Sequence, residues 1–515
     1  MIIAWFWTFY FVLKVGLYFK GAVNIHFWPN LALLILAMPF SPPRGRLKRS
    51  MILRQFIAVP LGFSIFWYDS YLPPFFYSLQ FLRQNTGILL SGFSGLFLRG
   101  FFNHWVSLAF IALLLTLCFT AAKKKLHPTP GVFLALLIVF IFNLRTHRNG
   151  IFSALGRFYS HQIHLEIKFP TMLKSPPFDI IFIHVCSLSW DDLAFINDIH
   201  PPLLANANIV FTKFNSATSY STPAALRLLR LPCGQVSHSA LYQKWPPQCS
   251  LWKQLRQAGY RTYSAFNYSP EYFNMFAQLK EFADLDSPIS IQGIPIEMLS
   301  FDDQPVYSNA QLLRRWIKMR NQDNAPRAAL FYNTITLHTG GHPDTPGWWK
   351  KSDLDRYPPA FAELNQAVLS FENEIAHSGR NAIVIIIPEH GAALRATSIQ
   401  PAELRDIPLP SITEVPVALR LIGPLFTKAP LGIAVKAPVS YLALARLLAD
   451  IMADPSLTSR PKTLENELKN LPQTRFLSET QYWKVFKFRS RYYFMGKDDS
   501  WRPLPADAMP LTEKK

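Results

Sequence analysis

The chain has 515 residues, of which 50% are hydrophobic and 14% aromatic, a composition that excludes an intrinsically disordered protein. Its 52 lysines and arginines exceed its 33 acids and give a net charge of +19. Residues 1–150 hold 14 of the basic residues and a single acid, Asp69, so they carry +13 of this charge and the rest of the chain only +6. Because the excess positive charge lies among apolar segments, the pattern is typical of a membrane protein and argues against a nucleic-acid partner.

Residues 1–145 contain five segments that approach the roughly 20 apolar residues a helix needs to cross a bilayer. The five segments cover about 2–20, 25–41, 52–68, 104–121 and 129–145. A further apolar stretch, 71–101, is broken by Pro73, Pro74 and several glycines, so we interpret it as interfacial or re-entrant helices. The sequence therefore predicts an N-terminal helical membrane domain of about five spans.

Two basic loops orient this domain. Residues 44–54 hold five basic side chains and residues 123–125 are three lysines, and the positive-inside rule places both loops in the cytoplasm. Five spans then leave the N-terminus in the cytoplasm and everything after about residue 150 outside, in the periplasm of a bacterium with two membranes. A cleaved signal peptide fits residues 1–20 poorly, because no basic region precedes the apolar run and no small-residue cleavage site follows it.

Residues 176–515 have the pattern of one α/β domain, and we expect 146–175 to be a linker on the membrane surface. Continuous apolar runs, which are typical of parallel strands buried on both faces, occur at 179–185, 208–211, 328–333 and 382–387. Helix-like stretches at 310–320 and 359–376 separate some of these runs, so we expect a sheet between two layers of helices. Ligands of such folds bind beyond the C-terminal ends of the strands, and the residues after each run are therefore the candidates.

The first two runs are followed by a thiol and by hydroxyl groups. Cys186 comes directly after the first run; taken alone, a cysteine there is more often an inert core thiol. Ser216–Ala225 follows the second run and leads into a helical stretch that begins near Pro223. A hydroxyl at a helix N-terminus faces free backbone N–H groups, which suits a phosphate site or a nucleophile, whereas the ordinary alternative is a serine cap.

The other two runs are followed by a carboxylate and by imidazoles. Glu389 and His390 come directly after 382–387, where a simple charged turn is the alternative. His338 and His342 follow 328–333 and are candidates for metal binding or acid/base catalysis, with ordinary surface residues as the alternative. A soft thiolate, an imidazole and one carboxylate at the same sheet edge favour zinc over magnesium or calcium. Zinc would lower the pKa of a coordinated serine hydroxyl.

Two further cysteines, Cys233 and Cys249, flank a loop rich in glycine, glutamine, serine and proline. In an oxidising compartment they predict a disulfide. Zinc binding by this pair is the alternative, but no nearby histidine or second cysteine pair supports it.

Five motifs together resemble the family of bacterial cellulose phosphoethanolamine transferases (cellulose synthesis protein G), a branch of the alkaline phosphatase superfamily. The resemblance covers nearly the whole chain. The matching motifs are Cys186–Trp190, Ser216–Ser221, Cys233–Gln235, Pro388–Gly391 and Leu404–Pro408. The resemblance implies a C-terminal domain of alkaline-phosphatase/sulfatase type.

The resemblance also implies roles for individual residues. Ser221 matches the nucleophile that carries a phosphoethanolamine group, and Ser221 also completes the zinc site. The remaining matches are the zinc ligands Cys186, Glu389 and His390, the phosphate-lining Tyr220 and Arg405, the proton-transferring His338, and the disulfide Cys233–Cys249. Lipid A transferases usually have a carboxylate in place of Cys186, so the thiolate suggests a single metal. Thr222 stands where the pattern leads us to expect glycine.

The function implied by the resemblance is transfer of phosphoethanolamine from phosphatidylethanolamine to the C6 hydroxyl of glucose in nascent cellulose. The expected partners are the membrane, this lipid, cellulose and subunits of the cellulose synthase complex, and Trp348, Trp349 and Tyr332 are candidates for a glucan groove or for the core. Two other functions stay open. One is a sulfatase or phosphomonoesterase on the same fold, and the other is a scaffold of the cellulose secretion complex with a vestigial site.

Overall fold

The computed structural model describes most of the chain. The described residues are 2–19, 23, 25–38, 47–70, 129–146, 150–171, 173, 175–344, 353–496 and 501–513. The predicted span at 104–121, the 71–101 segment and the two tryptophans Trp348 and Trp349 lie outside them.

The described residues of the N-terminal part form four helices, at positions that overlap four of the five predicted spans. They are α1 (Ile2–Phe19), α2 (Phe27–Ala37), α3 (Leu47–Asp69) and α4 (Thr129–Thr146). None of the helices in the described ranges is both long and apolar enough to cross a membrane. Lys14, the one charged residue of α1, forms a fully buried ion pair with Asp69 at the end of α3, with 2.6 Å between Nζ and Oδ2.

A seven-stranded sheet is the centre of the C-terminal part. Its strands are β1 (Asp179–Val185), β2 (Ile209–Asn215), β3 (Arg261–Phe266), β6 (Ala328–Thr334), β7 (Ala382–Pro388), β8 (Glu414–Ile422) and β9 (Ile433–Val435). Their order across the sheet is β3-β6-β1-β7-β8-β2-β9. The first four strands in this order run parallel, β8 is antiparallel to its neighbours β7 and β2, and β9 is parallel to β2.

Helices cover both faces of this sheet, which confirms the predicted α/β sandwich. Along β1, Ile180 and Phe182 pack into one apolar core, whereas Ile181 and Ile183 pack into a second core on the opposite face. The first core is completed by α8 (Ser221–Leu229), α9 (Leu251–Gln257), α10 (Met275–Ala283), α14 (Tyr441–Ala453) and α15 (Pro461–Lys469). The second is completed by α6 (Trp190–Phe195), α7 (Pro202–Ala205), α11 (Asn309–Gln322) and α12 (Asp353–His377). The short helix α13 (Pro410–Thr413) precedes β8.

Two smaller sheets complete the domain. A hairpin is formed by β4 (Ile296–Leu299) and β5 (Pro305–Tyr307), and a four-stranded antiparallel sheet by β10 (Leu477–Glu479), β11 (Lys484–Phe488), β12 (Arg491–Met495) and β13 (Trp501–Pro503).

The segment 146–175, expected to be a linker, contains the helix α5 (Ile151–Gln162). Ile151 and Phe158 on its apolar face pack against Phe486 and Trp501 of the four-stranded sheet. Burial of this face provides the free energy that holds the segment on the domain.

Candidate functional site

The parallel pairing of β1 and β7 brings two candidate segments to one edge of the sheet. Val185 and Pro388, the last residues of the two strands, are paired in register. Cys186 and Glu389 therefore follow side by side, and the Glu389 N–H donates to the Val185 carbonyl at 2.8 Å. The loops stay in contact beyond this point, because the Leu188 N–H donates to the His390 carbonyl at 2.7 Å.

Ser221 reaches the same place from β2, at the first turn of α8. The helix begins at Ser221 with Tyr220 as its N-cap, which is earlier than the sequence predicted. Pro223 is thus the third helical residue, a position where a missing N–H costs no helical hydrogen bond. The Ser221 Oγ lies 3.7 Å from the Cys186 sulfur and 3.5 Å from the His390 Nε2.

Cys186, Glu389 and His390 form a candidate metal centre. Their ligand atoms lie within 4.8 Å of one another, all three side chains are buried, and within the described residues no other such group of three or more was found. Glu389 Oε2 is buried without a hydrogen-bond partner, which leaves it available to a cation. A thiolate, an imidazole and a carboxylate are the donor types that zinc prefers, so these residues fit a zinc ion.

The electrostatics of the cluster also fit a cation. The pKa of Cys186 is raised to about 12, mainly by burial and to a smaller extent by the neighbouring Glu389 carboxylate. Burial likewise raises the pKa of Glu389 and lowers that of His390. Burial thus shifts all three groups toward their neutral forms, and a bound divalent cation opposes this shift by holding the thiolate and carboxylate directly.

A second layer of polar side chains orients the ligands. Asn333 donates from Nδ2 to Glu389 Oε1 at 2.6 Å and to His184 Nδ1 at 2.8 Å, and its own Oδ1 accepts from the Tyr268 hydroxyl at 2.6 Å. None of Asn333, His184 and Tyr268 was predicted from the sequence as a site residue. Asn333 carried a usable signal, because it is a polar residue within a buried apolar strand.

Arg405 and His338 lie next to the cluster. The Arg405 guanidinium donates from Nη1 to Ser187 Oγ at 2.7 Å and contacts His338 Nε2 through Nη2 at 3.0 Å. Ser187 Oγ is 3.3 Å from the Cys186 sulfur. The pKa of His338 is lowered to about 3, mainly by burial and to a smaller extent by the Arg405 cation. This imidazole is therefore neutral. Its Nδ1 lies 2.8 Å from the Thr339 carbonyl; we assign the proton to Nδ1 and leave Nε2 as an acceptor for Arg405.

His338 and His342, the two histidines that the sequence offers as site candidates, make different contacts in the structure. His338 contacts Arg405, whereas His342 Nε2 lies 3.1 Å from the Asp303 carboxylate. Tyr220 is 41% exposed, and its hydroxyl donates to the carboxylate of Asp406. Tyr332, a candidate for a glucan groove, is buried in the core.

Cys233 and Cys249 form a disulfide, which confirms the predicted pairing over the zinc alternative. The bridge closes a loop that follows α8. The helix that carries Ser221 is therefore followed by a covalently fixed segment.

Solved structures that are similar to this chain include the following two, each with a TM-score below 0.5. One is a protein of the alkaline phosphatase superfamily from Vibrio parahaemolyticus, with 12% identity, a TM-score of 0.45, and coverage of 68% of this chain and 90% of that one. The other is the C-terminal periplasmic domain of EptC from Escherichia coli in complex with Zn, with 14% identity, a TM-score of 0.44, and coverage of 65% and 97%. These similarities are too weak to carry an argument about this chain.

The sequence comparisons are stronger. Residues 7–141 match the cellulose biosynthesis protein BcsG N-terminal domain, and residues 145–501 match the BcsG C-terminal domain. The chain is 31% identical to cellulose biosynthesis protein BcsG of Escherichia coli strain K12 over an alignment of 555 positions, gaps included. The alignment covers 97% of this chain and 96% of that protein. BcsG of Salmonella typhimurium is also 31% identical, with the same two coverages. The chain therefore belongs to the cellulose biosynthesis protein BcsG family.

Proposed function

We propose that the chain transfers phosphoethanolamine from phosphatidylethanolamine to the C6 hydroxyl of glucose in nascent cellulose, through a covalent phosphoethanolamine group on Ser221. The observation that carries this proposal is the position of the Ser221 hydroxyl, at a helix N-terminus and beside Cys186 and His390. Membership of a cellulose biosynthesis family supports cellulose as the acceptor and supports our proposal that subunits of the cellulose synthase complex are partners.

Cys186, Glu389 and His390 would hold a zinc ion, with Ser221 as the fourth ligand. When bound, zinc supplies Lewis acidity that lowers the pKa of the Ser221 hydroxyl and offsets charge on a phosphoryl oxygen. Asn333 keeps the Glu389 carboxylate oriented for this role.

In the first half-reaction the Ser221 oxygen attacks phosphorus, and the bond from phosphorus to the diacylglycerol oxygen breaks. Arg405 and the free N–H groups at the start of α8 would hold the non-bridging phosphoryl oxygens. Binding of the phosphoryl group by Arg405 would release the Nε2 of His338, which in the structure accepts from Arg405. We assign to this nitrogen the transfer of the serine proton to the leaving diacylglycerol oxygen.

In the second half-reaction the glucose C6 oxygen attacks phosphorus and the bond to Ser221 breaks. The proton of the glucose hydroxyl passes to His338 Nε2 and from there to the Ser221 oxygen, which restores the starting state. A neutral imidazole with an unprotonated Nε2 is the form that can accept this proton.

A lipid donor is consistent with a position at a membrane, and we propose a multi-pass inner-membrane protein with a cytoplasmic N-terminus and a periplasmic catalytic domain. Large apolar side chains on the outside of the N-terminal helices support this proposal. Trp28, Leu53 and Phe56 are 69%, 67% and 74% exposed, and apolar side chains in such positions suit lipid rather than water.

The test is a transfer assay with the zinc-loaded full chain, using vesicles that contain phosphatidylethanolamine labelled in its ethanolamine and a soluble cello-oligosaccharide. Wild type is expected to move label to the oligosaccharide, and Ser221→Ala is expected to lose this transfer. Thr222→Ala, which removes the neighbouring hydroxyl, is the matched control and should retain it. Transfer by Ser221→Ala at the rate of the wild type would refute the proposal. Release of label into water without a glucan product would favour the hydrolase function instead.

A further inference from the structure

A hairpin beside the candidate site carries a carboxylate that the proposed mechanism does not use. The two strands β4 and β5 are joined by a tight turn, in which the Ser300 N–H donates to the Gln304 carbonyl at 2.8 Å. The backbones of Leu299 and His342 exchange two hydrogen bonds of 2.8 Å. These bonds fix the hairpin against the loop that carries His338.

Asp302, in this turn, is a nearly buried acid with one oxygen still available. Asp302 as a whole is only 9% exposed. Oδ1 accepts hydrogen bonds from the Tyr272 hydroxyl, at 2.7 Å, and from the Ser300 hydroxyl. Across the described part of the chain, no donor reaches Oδ2 and no lysine, arginine or histidine pairs with this carboxylate. A buried carboxylate without a cationic partner is costly, so the arrangement suits a cation supplied by a ligand.

One series of contacts connects the turn to the phosphate side of the candidate site. The Phe301 ring is stacked on the His338 ring, with 5.0 Å between centroids and 20° between planes. His338 in turn contacts Arg405 at 3.0 Å. The residue next to Asp302 therefore touches the group that we assign to proton transfer.

A second, independent series leads from the metal ligands to the Asp302 carboxylate itself. Glu389 accepts from Asn333, which accepts from the Tyr268 hydroxyl, each at 2.6 Å. The Tyr268 and Tyr272 rings meet edge to face with 5.8 Å between centroids, and Tyr272 donates to Asp302. The first series ends at Phe301, the neighbour of Asp302, and the second ends at Asp302 itself. The turn that carries this carboxylate therefore forms part of the rim of the candidate site.

The charges along this rim match the two ends of the proposed donor's head group. Phosphoethanolamine joins an anionic phosphate to a primary ammonium through two carbons, and Arg405 supplies the cation for the phosphate end. Asp302, which accepts from the Tyr272 hydroxyl through Oδ1 only, offers a carboxylate that recognises an ammonium. A divalent metal at Asp302 is a poorer match, because among the described residues only Cys186, Glu389 and His390 form a group of three metal-ligand side chains.

We infer that Asp302 binds the ammonium group of the donor and thereby selects ethanolamine esters of phosphate over uncharged ones. The inference rests on the proposed function and adds a specificity-determining residue to it. Asp302 takes no part in the bond-forming steps, so its loss should change the choice of donor rather than the chemistry.

The experiment compares two soluble esters that differ only at the terminal group, p-nitrophenyl phosphoethanolamine and p-nitrophenyl propyl phosphate. The zinc-loaded full chain is mixed with each ester and with a soluble cello-oligosaccharide, which accepts the group from Ser221 so that the enzyme turns over. The value of kcat/KM is obtained from the release of p-nitrophenolate. Asp302→Asn, which keeps the shape and the hydrogen bonds at Oδ1, should lower kcat/KM for the ammonium ester by about 10- to 100-fold, the worth of one charge-assisted hydrogen bond. The propyl ester should be turned over at an unchanged rate.

The matched control is Asp303→Asn, at a neighbouring carboxylate that is 49% exposed and pairs with His342; it should leave both esters unaffected. An equal loss on both esters in Asp302→Asn would show that the carboxylate only supports His338, and no loss on either would show that it does not meet the donor. Either result overturns the inference, as does a wild type that prefers neither ester. Absence of release from both esters by wild type would instead refute the proposed function, and the inference with it.

Discussion

The hydroxyl oxygen of Ser221 lies 3.7 Å from the sulfur of Cys186, although the two residues are 35 positions apart in the chain. Ser221 begins the helix α8 that follows β2, and Cys186 comes directly after β1. These two strands are not adjacent in the sheet. Only the common edge of the sheet brings them together. The contact places a nucleophile candidate directly on the candidate metal centre.

The first prediction concerns Cys186 as a metal ligand. Cys186→Ala should reduce zinc in the purified full chain from about one ion per molecule to a small fraction of that, because the site loses its thiolate donor. Elemental analysis by mass spectrometry measures this directly. His342→Ala is the control, since His342 contacts Asp303, and it should keep its zinc. Full zinc occupancy in Cys186→Ala would remove Cys186 from the ligand set.

The second prediction concerns the support of Glu389 by Asn333. Asn333→Ala leaves Glu389 Oε1 without its donor at 2.6 Å, and the loss of such an outer contact weakens metal binding by about 10- to 100-fold. The measurement is a zinc competition titration with a chelator of known affinity. Asn365→Ala, at a buried asparagine of α12 in the opposite layer, should bind zinc as wild type does. Equal affinities of wild type and Asn333→Ala would contradict the supporting role.

The third prediction concerns the close packing of Gly391 behind the ligand loop. A Cβ at this position would lie 2.5 Å from Ser189 Oγ and 2.6 Å from Asp192 Oδ2. Gly391→Ala should therefore displace His390 and cost about 1–3 kcal/mol of stability, as overpacking does. Denaturant unfolding and zinc affinity both report the change. Gly156→Ala on α5, where a Cβ meets open space, should be neutral or slightly stabilising; equal behaviour of the two variants would contradict the argument.

The fourth prediction concerns the disulfide. Replacement of both Cys233 and Cys249 by serine should lower the free energy of unfolding of the C-terminal domain by about 3 kcal/mol, the contribution expected for a loop of this length. Zinc content should be retained, because neither sulfur belongs to the metal cluster. Urea unfolding of the full chain with and without a reductant makes the comparison. A double variant as stable as wild type would show that the bridge has no stabilising role.

The sequence was sufficient for the parts of the site that follow apolar strands. Buried parallel strands produce unbroken apolar runs, and the residue after each run falls at one sheet edge, which is how Cys186 and Glu389 could be identified as neighbours. The order of the strands, with β8 antiparallel, could not be predicted in this way, because it depends on long-range pairing. Residues brought in by long-range contacts could not be placed by the strand pattern. Arg405, which reaches Ser187 from 218 positions away, was identified only through the family resemblance, and the turn with Asp302 contacts His338 only through the packing of a separate hairpin.

The most direct test of the central claim is the mass of the full chain after reaction with phosphatidylethanolamine. Zinc-loaded wild type, quenched in acid before an acceptor is added, should gain the mass of one phosphoethanolamine group, and peptide mapping should locate it on Ser221. The gain should be absent without zinc and in Ser221→Ala. An adduct on another residue, or transfer to glucan without any adduct on Ser221, would contradict the covalent mechanism.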